Sequence, residues 1–152
     1  VEEIVATWQP LVEAMPDKKW LFTVSPIRHV KDGLHENHIN KGILLQAVEQ
    51  LTEQTGCSYF PAYEILLDEL RDYRYYAEDM VHPSSMAVEY IWQRLVETYM
   101  TADTQAEMKT LHQLWRDEHH RFIHPDSMEA KRFLERLGQK KHELQEDYPW
   151  IE

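Results

Sequence analysis

The chain has 152 residues, enough for one modest core and no more than one domain by length. Its 16 Lys and Arg against 27 Asp and Glu give a net charge of -11, which disfavours nucleic acid and anionic membrane as partners because phosphates are repelled. The longest apolar stretches, such as "WLFTV" and "GILLQAV", fall far short of the roughly 20 residues that span a bilayer, and the single Cys57 excludes an internal disulfide.

Ile4, Trp8, Leu11, Val12 and Met15 recur at i, i+4, i+7, i+8 and i+11, which predicts an amphipathic helix over 1–16, with Pro10 as a kink point and Pro16 to Asp17 as its end. Trp20 to Val24 is a short continuous apolar run and reads as a strand buried on both faces. "PIRHVKDGLHEN", 26–37, is polar and contains Gly33, so it reads as a loop leaving that strand. Leu44, Val48 and Leu51, joined by Ile43 and Ala47, mark the next helix, with Gly56 as its stop. "CSYFPAYEIL" then reads as a second strand. After a polar loop over 68–83, Val88, Ile91, Trp92, Leu95 and Tyr99 predict a helix that Ser84 or Ser85 would cap.

This alternation of helix and strand is that of a parallel α/β sheet with right-handed crossovers. Two strands do not make such a sheet, and the first residue is Val1 instead of a methionine. Residues 1–100 are therefore expected to be the C-terminal half of a doubly wound, flavodoxin-like α/β domain, with the N-terminal half missing. Residues 101–152 lack strand signals. Met108, Leu111 and Trp115, then Leu134, Leu137, Lys141 and Leu144, predict a helical hairpin whose second helix starts near Pro125, with a capping box from Asp126 to Glu129.

The chemistry concentrates at "YYAEDMVHPSS", 75–85. Asp79 and His82 lie three positions apart, close enough in a turn for the carboxylate to fix the imidazole tautomer as in a hydrolase. Pro83 then suits the first turn of a helix. A bare D-x-x-H-P is more often a loop aspartate paired locally beside a surface histidine, and five letters do not decide between the two. Arg28 and His29 follow the first strand and are candidates for binding a substrate carboxylate or hydroxyl. Ser25 is a poor nucleophile because Pro26 removes the next backbone N–H, a usual oxyanion donor. Cys57 reads as a small core residue. His29, His35 and His38 do not have the H-E-x-x-H register of a zinc site, and His120 and His124 with Asp117 fit an exposed polar helix face. No metal site and no cofactor are expected.

"TVSPIRH" at 23–29, "YFPAYEILLDELRDYRYYAEDMVHP" at 59–83 and "YIW" at 90–92, in that order, resemble the GSCFA family, which is related to SGNH and PC-esterase hydrolases. The likeness runs from about Trp20 to Trp92, extends to helix 1–16, and in the tail "HRFIHPDSMEAKRFL" looks like the family's C-terminal extension. The family's Gly-Ser-Cys-Phe-Ala motif is not in the chain. The resemblance implies an SGNH-like domain in which Asp79 and His82 occupy the D-x-x-H positions of a Ser-His-Asp triad. The serine would then lie in the missing N-terminal half. It further implies an ester hydrolase acting on a small-molecule or carbohydrate ester, in which Arg28 and His29, by their position after the first strand, would be pocket residues. The alternative is a non-catalytic α/β scaffold whose helical hairpin docks a protein partner. A homo-oligomer paired through exposed sheet edges is a further expectation. A soluble protein is expected, with the cytoplasm slightly favoured, although one cysteine does not separate a reducing compartment from an oxidising one.

Overall fold

The computed structural model describes residues 1–151. The chain divides into two compact units, Val1–Thr98 and Tyr99–Glu152.

In the first unit, α1 (Glu2–Glu13) carries Pro10 inside its length and buries Val5 and Val12, which lie on one face at i, i+7. Trp8 meets Phe22 edge-on, with ring centroids 5.3 Å apart, and Trp20 at 6.3 Å, so α1 covers the inner face of the first strand. That strand, β1 (Leu21–Phe22), pairs in parallel with β2 (Ser58–Tyr59), Leu21 opposite Ser58 and Phe22 opposite Tyr59. Flanking bonds from Ser58 N–H to the Trp20 carbonyl (2.9 Å) and from Phe60 N–H to the Phe22 carbonyl (2.8 Å) complete the pairing.

The doubly wound parallel sheet expected from the sequence is not formed by the described residues, in which helices dominate and the only sheet has these two short strands. The reasons are local. Trp20–Val24 alternates, with Phe22 and Val24 turned inward and Leu21 and Thr23 exposed, so it is covered on one face and not on two. In "CSYFPAYEIL" the strand lasts two residues because Pro61 has no N–H for a ladder, and the helix formers after it take over. α3 (Ala62–Glu64) runs directly into a π-helical turn, Ile65–Leu70. Arg71 N–H bonds the Leu66 carbonyl at 3.2 Å and closes that turn, with Arg71 in the left-handed region at φ 42°.

α2 (Leu34–Thr55) starts earlier than the periodicity predicts. Residues 26–37 are not all loop: a 3-10 turn at Val30–Asp32 leads to Gly33, whose φ of 84° suits glycine, and Leu34 opens the helix. Gly56 ends it as expected, at φ 71° with its N–H on the Thr52 carbonyl. The buried face of α2 is Asn37, Lys41, Ala47 and Leu51, whereas Ile43 and Leu44 are exposed. Ala47, Leu51 and Val5 form one core cluster, against which Ile4, Phe22 and Cys57 pack.

α4 (Ser85–Tyr99) is capped by Ser84, whose Oγ accepts the Ala87 N–H at 3.3 Å. Tyr90, Ile91 and Leu95 pack on a second cluster of Phe60, Ala62 and Ile65. The helix is rotated relative to its predicted stripe: Ala87 is fully buried, and Val88 and Trp92 are about half exposed. A small residue lets the helix approach closely, a preference that a scan for large apolar side chains does not register.

In the second unit, Thr101 caps α5 (Ala102–Glu118) by accepting the Thr104 N–H. α6 (Met128–Asp147) is capped by Ser127, whose Oγ accepts the Ala130 N–H at 3.1 Å, so the expected Asp126 capping box is not the device used. Buried Leu114 and Ala130 mark the faces that meet, and Lys141 to Glu118 at 2.7 Å ties the two helices together. Trp115 and Leu134 point out to solvent. No helix among the described residues is long and apolar enough to cross a membrane.

Candidate active site

The segment Tyr76–Pro83 folds back on itself. Tyr76 and Pro83 form an antiparallel bridge, Ala77 N–H donates to the His82 carbonyl (2.8 Å), and Ser84 N–H donates to the Tyr75 carbonyl (2.8 Å). At the tip, Met80 takes the left-handed conformation at φ 59°, which turns the chain tightly enough to bring Asp79 and His82 together.

Asp79 is fully engaged. Its Oδ1 accepts the backbone N–H of Val81 (2.9 Å) and of His82 (3.0 Å), and its Oδ2 lies 2.6 Å from His82 Nδ1. The His82 backbone N–H, then the His82 ring, then the Val81 N–H hold the carboxyl down to about 2. An ionised carboxylate can only accept, so Nδ1 carries the imidazole proton and Nε2 of the neutral ring presents a lone pair. Both side chains are about half exposed, which leaves Nε2 accessible.

Because the folded value lies below the usual ~3.9 of an unfolded aspartate, the unfolded chain takes up the proton first as pH falls. The bonds to Asp79 therefore stabilise the loop in full above about pH 4 and are lost as pH drops through about 2. Carbon-13 titration of the Asp79 carboxyl should give a midpoint near 2. A midpoint of about 4 would mean that the loop is open in solution.

Arg28 braces this loop from 52 residues away. Its Nη1 donates to the Met80 carbonyl at 3.0 Å, its backbone N–H donates to the Val81 carbonyl at 3.3 Å, and its guanidinium stacks 3.9 Å above the Tyr76 ring. Arg28 also lines two small cavities, so the structure places it both beside the dyad and in a cleft. His29 is exposed, and what ties it to the fold is its backbone N–H, which donates to Asn37 Oδ1 at 2.9 Å. The structure thus brings Asp79, His82 and Arg28 together and leaves the His29 ring outside the cavities that Arg28 lines.

Two residues the sequence reading assigns no role hold the Arg28 segment in place. Asn37 is buried against His29, and Lys41, 2% exposed, donates from Nζ to the Ser25 carbonyl at 2.6 Å. Burial pushes the Lys41 ammonium below its ordinary pKa. A signal for them exists in the sequence: Asn37 and Lys41 continue the helical phase of Val48 and Leu51, so polar residues stand where the buried face of α2 must be. Among the described residues no three His, Cys, Asp or Glu side chains are grouped to hold a metal ion.

A sequence model of the GSCFA family matches residues 1–95. The chain belongs to the GSCFA family. The matched GSCFA region takes in Arg28, His29, Asp79 and His82 together with the elements that position them, and it ends within α4. No curated protein and no solved structure matches the chain.

Proposed function

We propose that this GSCFA chain supplies the acid–base pair of an ester hydrolase, with His82 as the general base and Asp79 as the carboxylate that orients it. The 2.6 Å contact between His82 Nδ1 and Asp79 Oδ2 carries the reading, because in the neutral ring it puts the proton on Nδ1 and makes Nε2 the acceptor. In the reaction, Nε2 takes the proton of an attacking hydroxyl as its oxygen adds to the ester carbon. The proton then passes to the departing alcohol, leaving an acyl-enzyme. Water enters by the same route, giving up its proton to Nε2, and the acid is released as the hydroxyl regains a proton. Arg28 keeps the loop in register and lines the cleft beside it. By the family likeness, the ester is an acyl group on a carbohydrate.

The attacking hydroxyl comes from outside residues 1–152 in this proposal. Ser25 Oγ accepts the Ile27 N–H and Ser84 Oγ caps α4, and no serine or cysteine among the described residues is hydrogen-bonded to the His82 ring. The test is hydrolysis of p-nitrophenyl acetate by the polypeptide that carries the attacking hydroxyl. His82→Ala should lower kcat/KM by about a hundredfold or more with an unchanged circular dichroism spectrum. Undiminished turnover would remove His82 from the mechanism.

A further inference from the structure

Beside the Asp79–His82 loop lies a cavity of about 220 Å³ walled by Arg28, Leu66, Leu67, Arg71, Tyr73 and Tyr76. Arg28 connects the two, since the same guanidinium that lines the cavity holds the Met80 carbonyl. The chain as a whole is acidic, 27 Asp and Glu against 16 Lys and Arg, yet this cavity carries two guanidiniums. Only one carboxylate reaches its wall, that of Asp72, and Arg74 already binds it at 2.9 Å. The Arg71 side chain makes no hydrogen bond or ion pair among the described residues. Arg28 spends one donor on Met80 and has others to offer.

The backbone sets the same cavity apart. Leu66 and Leu67 belong to the π-helical turn, and Arg71 closes that turn in a left-handed conformation which a long side chain rarely adopts. Distortions of both kinds concentrate where a ligand must be met. They shape a cavity that Arg71 lines together with two leucines and two tyrosines.

We infer that this cavity binds a small organic carboxylate, held by Arg71 and the spare donors of Arg28, with Leu67 and Tyr73 against its carbon skeleton. A planar guanidinium matches a carboxylate with two parallel hydrogen bonds, which a neutral sugar cannot reproduce. The inference rests on the ester-hydrolase reading only in taking the bound carboxylate to be part of the substrate, which makes the substrate an anionic ester.

Binding can be read without turnover, so the two ideas fail separately. Titration with glucuronate, followed by NMR, should shift the Arg71 side-chain N–H and the Tyr73 ring saturably, while glucose leaves both in place. Arg71→Gln should weaken glucuronate binding by about tenfold or more, and Arg71→Lys by less, because the charge remains and the fork is lost. No saturable shift with glucuronate, an equal response to glucose, or unchanged binding by Arg71→Gln would overturn the inference. Tighter binding of inorganic phosphate than of glucuronate would also overturn it, by making the cavity a general anion site. His82→Ala should bind glucuronate as the unmodified protein does, whatever its effect on hydrolysis.

Discussion

Asp79→Asn is expected to lower kcat for ester hydrolysis by about four orders of magnitude while leaving the loop folded. Asparagine retains an oxygen that can accept the Val81 and His82 N–H groups, so the turn keeps its backbone anchors. What changes is the atom facing His82. In place of Oδ2 at 2.6 Å from Nδ1, the amide presents an N–H donor. Two donors do not share a hydrogen bond, so the neutral ring moves its proton to Nε2, and the atom that should take a proton already holds one. Removing the negative charge also withdraws the support for the imidazolium that forms as the hydroxyl attacks. The kinetic result should be accompanied by a change of tautomer in the nitrogen-15 chemical shifts of His82. If the tautomer changes and kcat falls less than about tenfold, His82 is not the base. If the tautomer does not change, Asp79 does not control the ring.

How much of this site is legible in the sequence depends on how far apart its parts lie. Asp79 and His82 are three positions apart, and a local turn closes between them without help from the rest of the fold. Spacing alone is enough to nominate the pair. Arg28 is 52 residues from its carbonyl partner, and nothing in the periodicity of either segment couples them, so its part as a brace is visible only in three dimensions. The cavity beside Arg71 depends on a π-helical turn, Ile65–Leu70, that begins at the end of a stretch read as a strand and runs into one read as a polar loop. There the aromatic run "CSYF" carries the strand signal, and Pro61 cuts it off after two paired residues. The helices were legible in kind and less so in phase. α4 turns Ala87 inward and Trp92 outward, because close packing selects the small side chain at the contact. The expected doubly wound sheet failed for a related reason: a short apolar run between polar flanks has the same appearance whether one face or two are covered.

The phase of α2 is open to a direct thermodynamic check. Leu51→Ala should destabilise the first unit by about 3 to 5 kcal/mol, whereas Leu44→Ala on the same helix should cost less than about 1 kcal/mol. Both remove the same atoms from the same type of residue, and alanine suits a helix interior in either place. The difference is burial: Leu51 is 1% exposed and Leu44 is 38% exposed. Leu51 packs with Ala47 and Val5, and Phe22 and Cys57 close around them, so its truncation opens a void among α1, α2 and β1 that rigid neighbours fill only in part. Against a typical total of about 5 to 15 kcal/mol, such a loss removes a large share of the stability. Urea unfolding should show the midpoint of Leu51→Ala well below that of Leu44→Ala at a common slope. Equal midpoints would mean that α2 is rotated from the face described. In the Leu51→Ala variant the Asp79 carboxyl should still titrate near 2, because its partners lie within the same short turn and do not depend on that core. A value drifting upward with the loss of Leu51 would show instead that the dyad is held from a distance, through α2 and the Arg28 brace it supports.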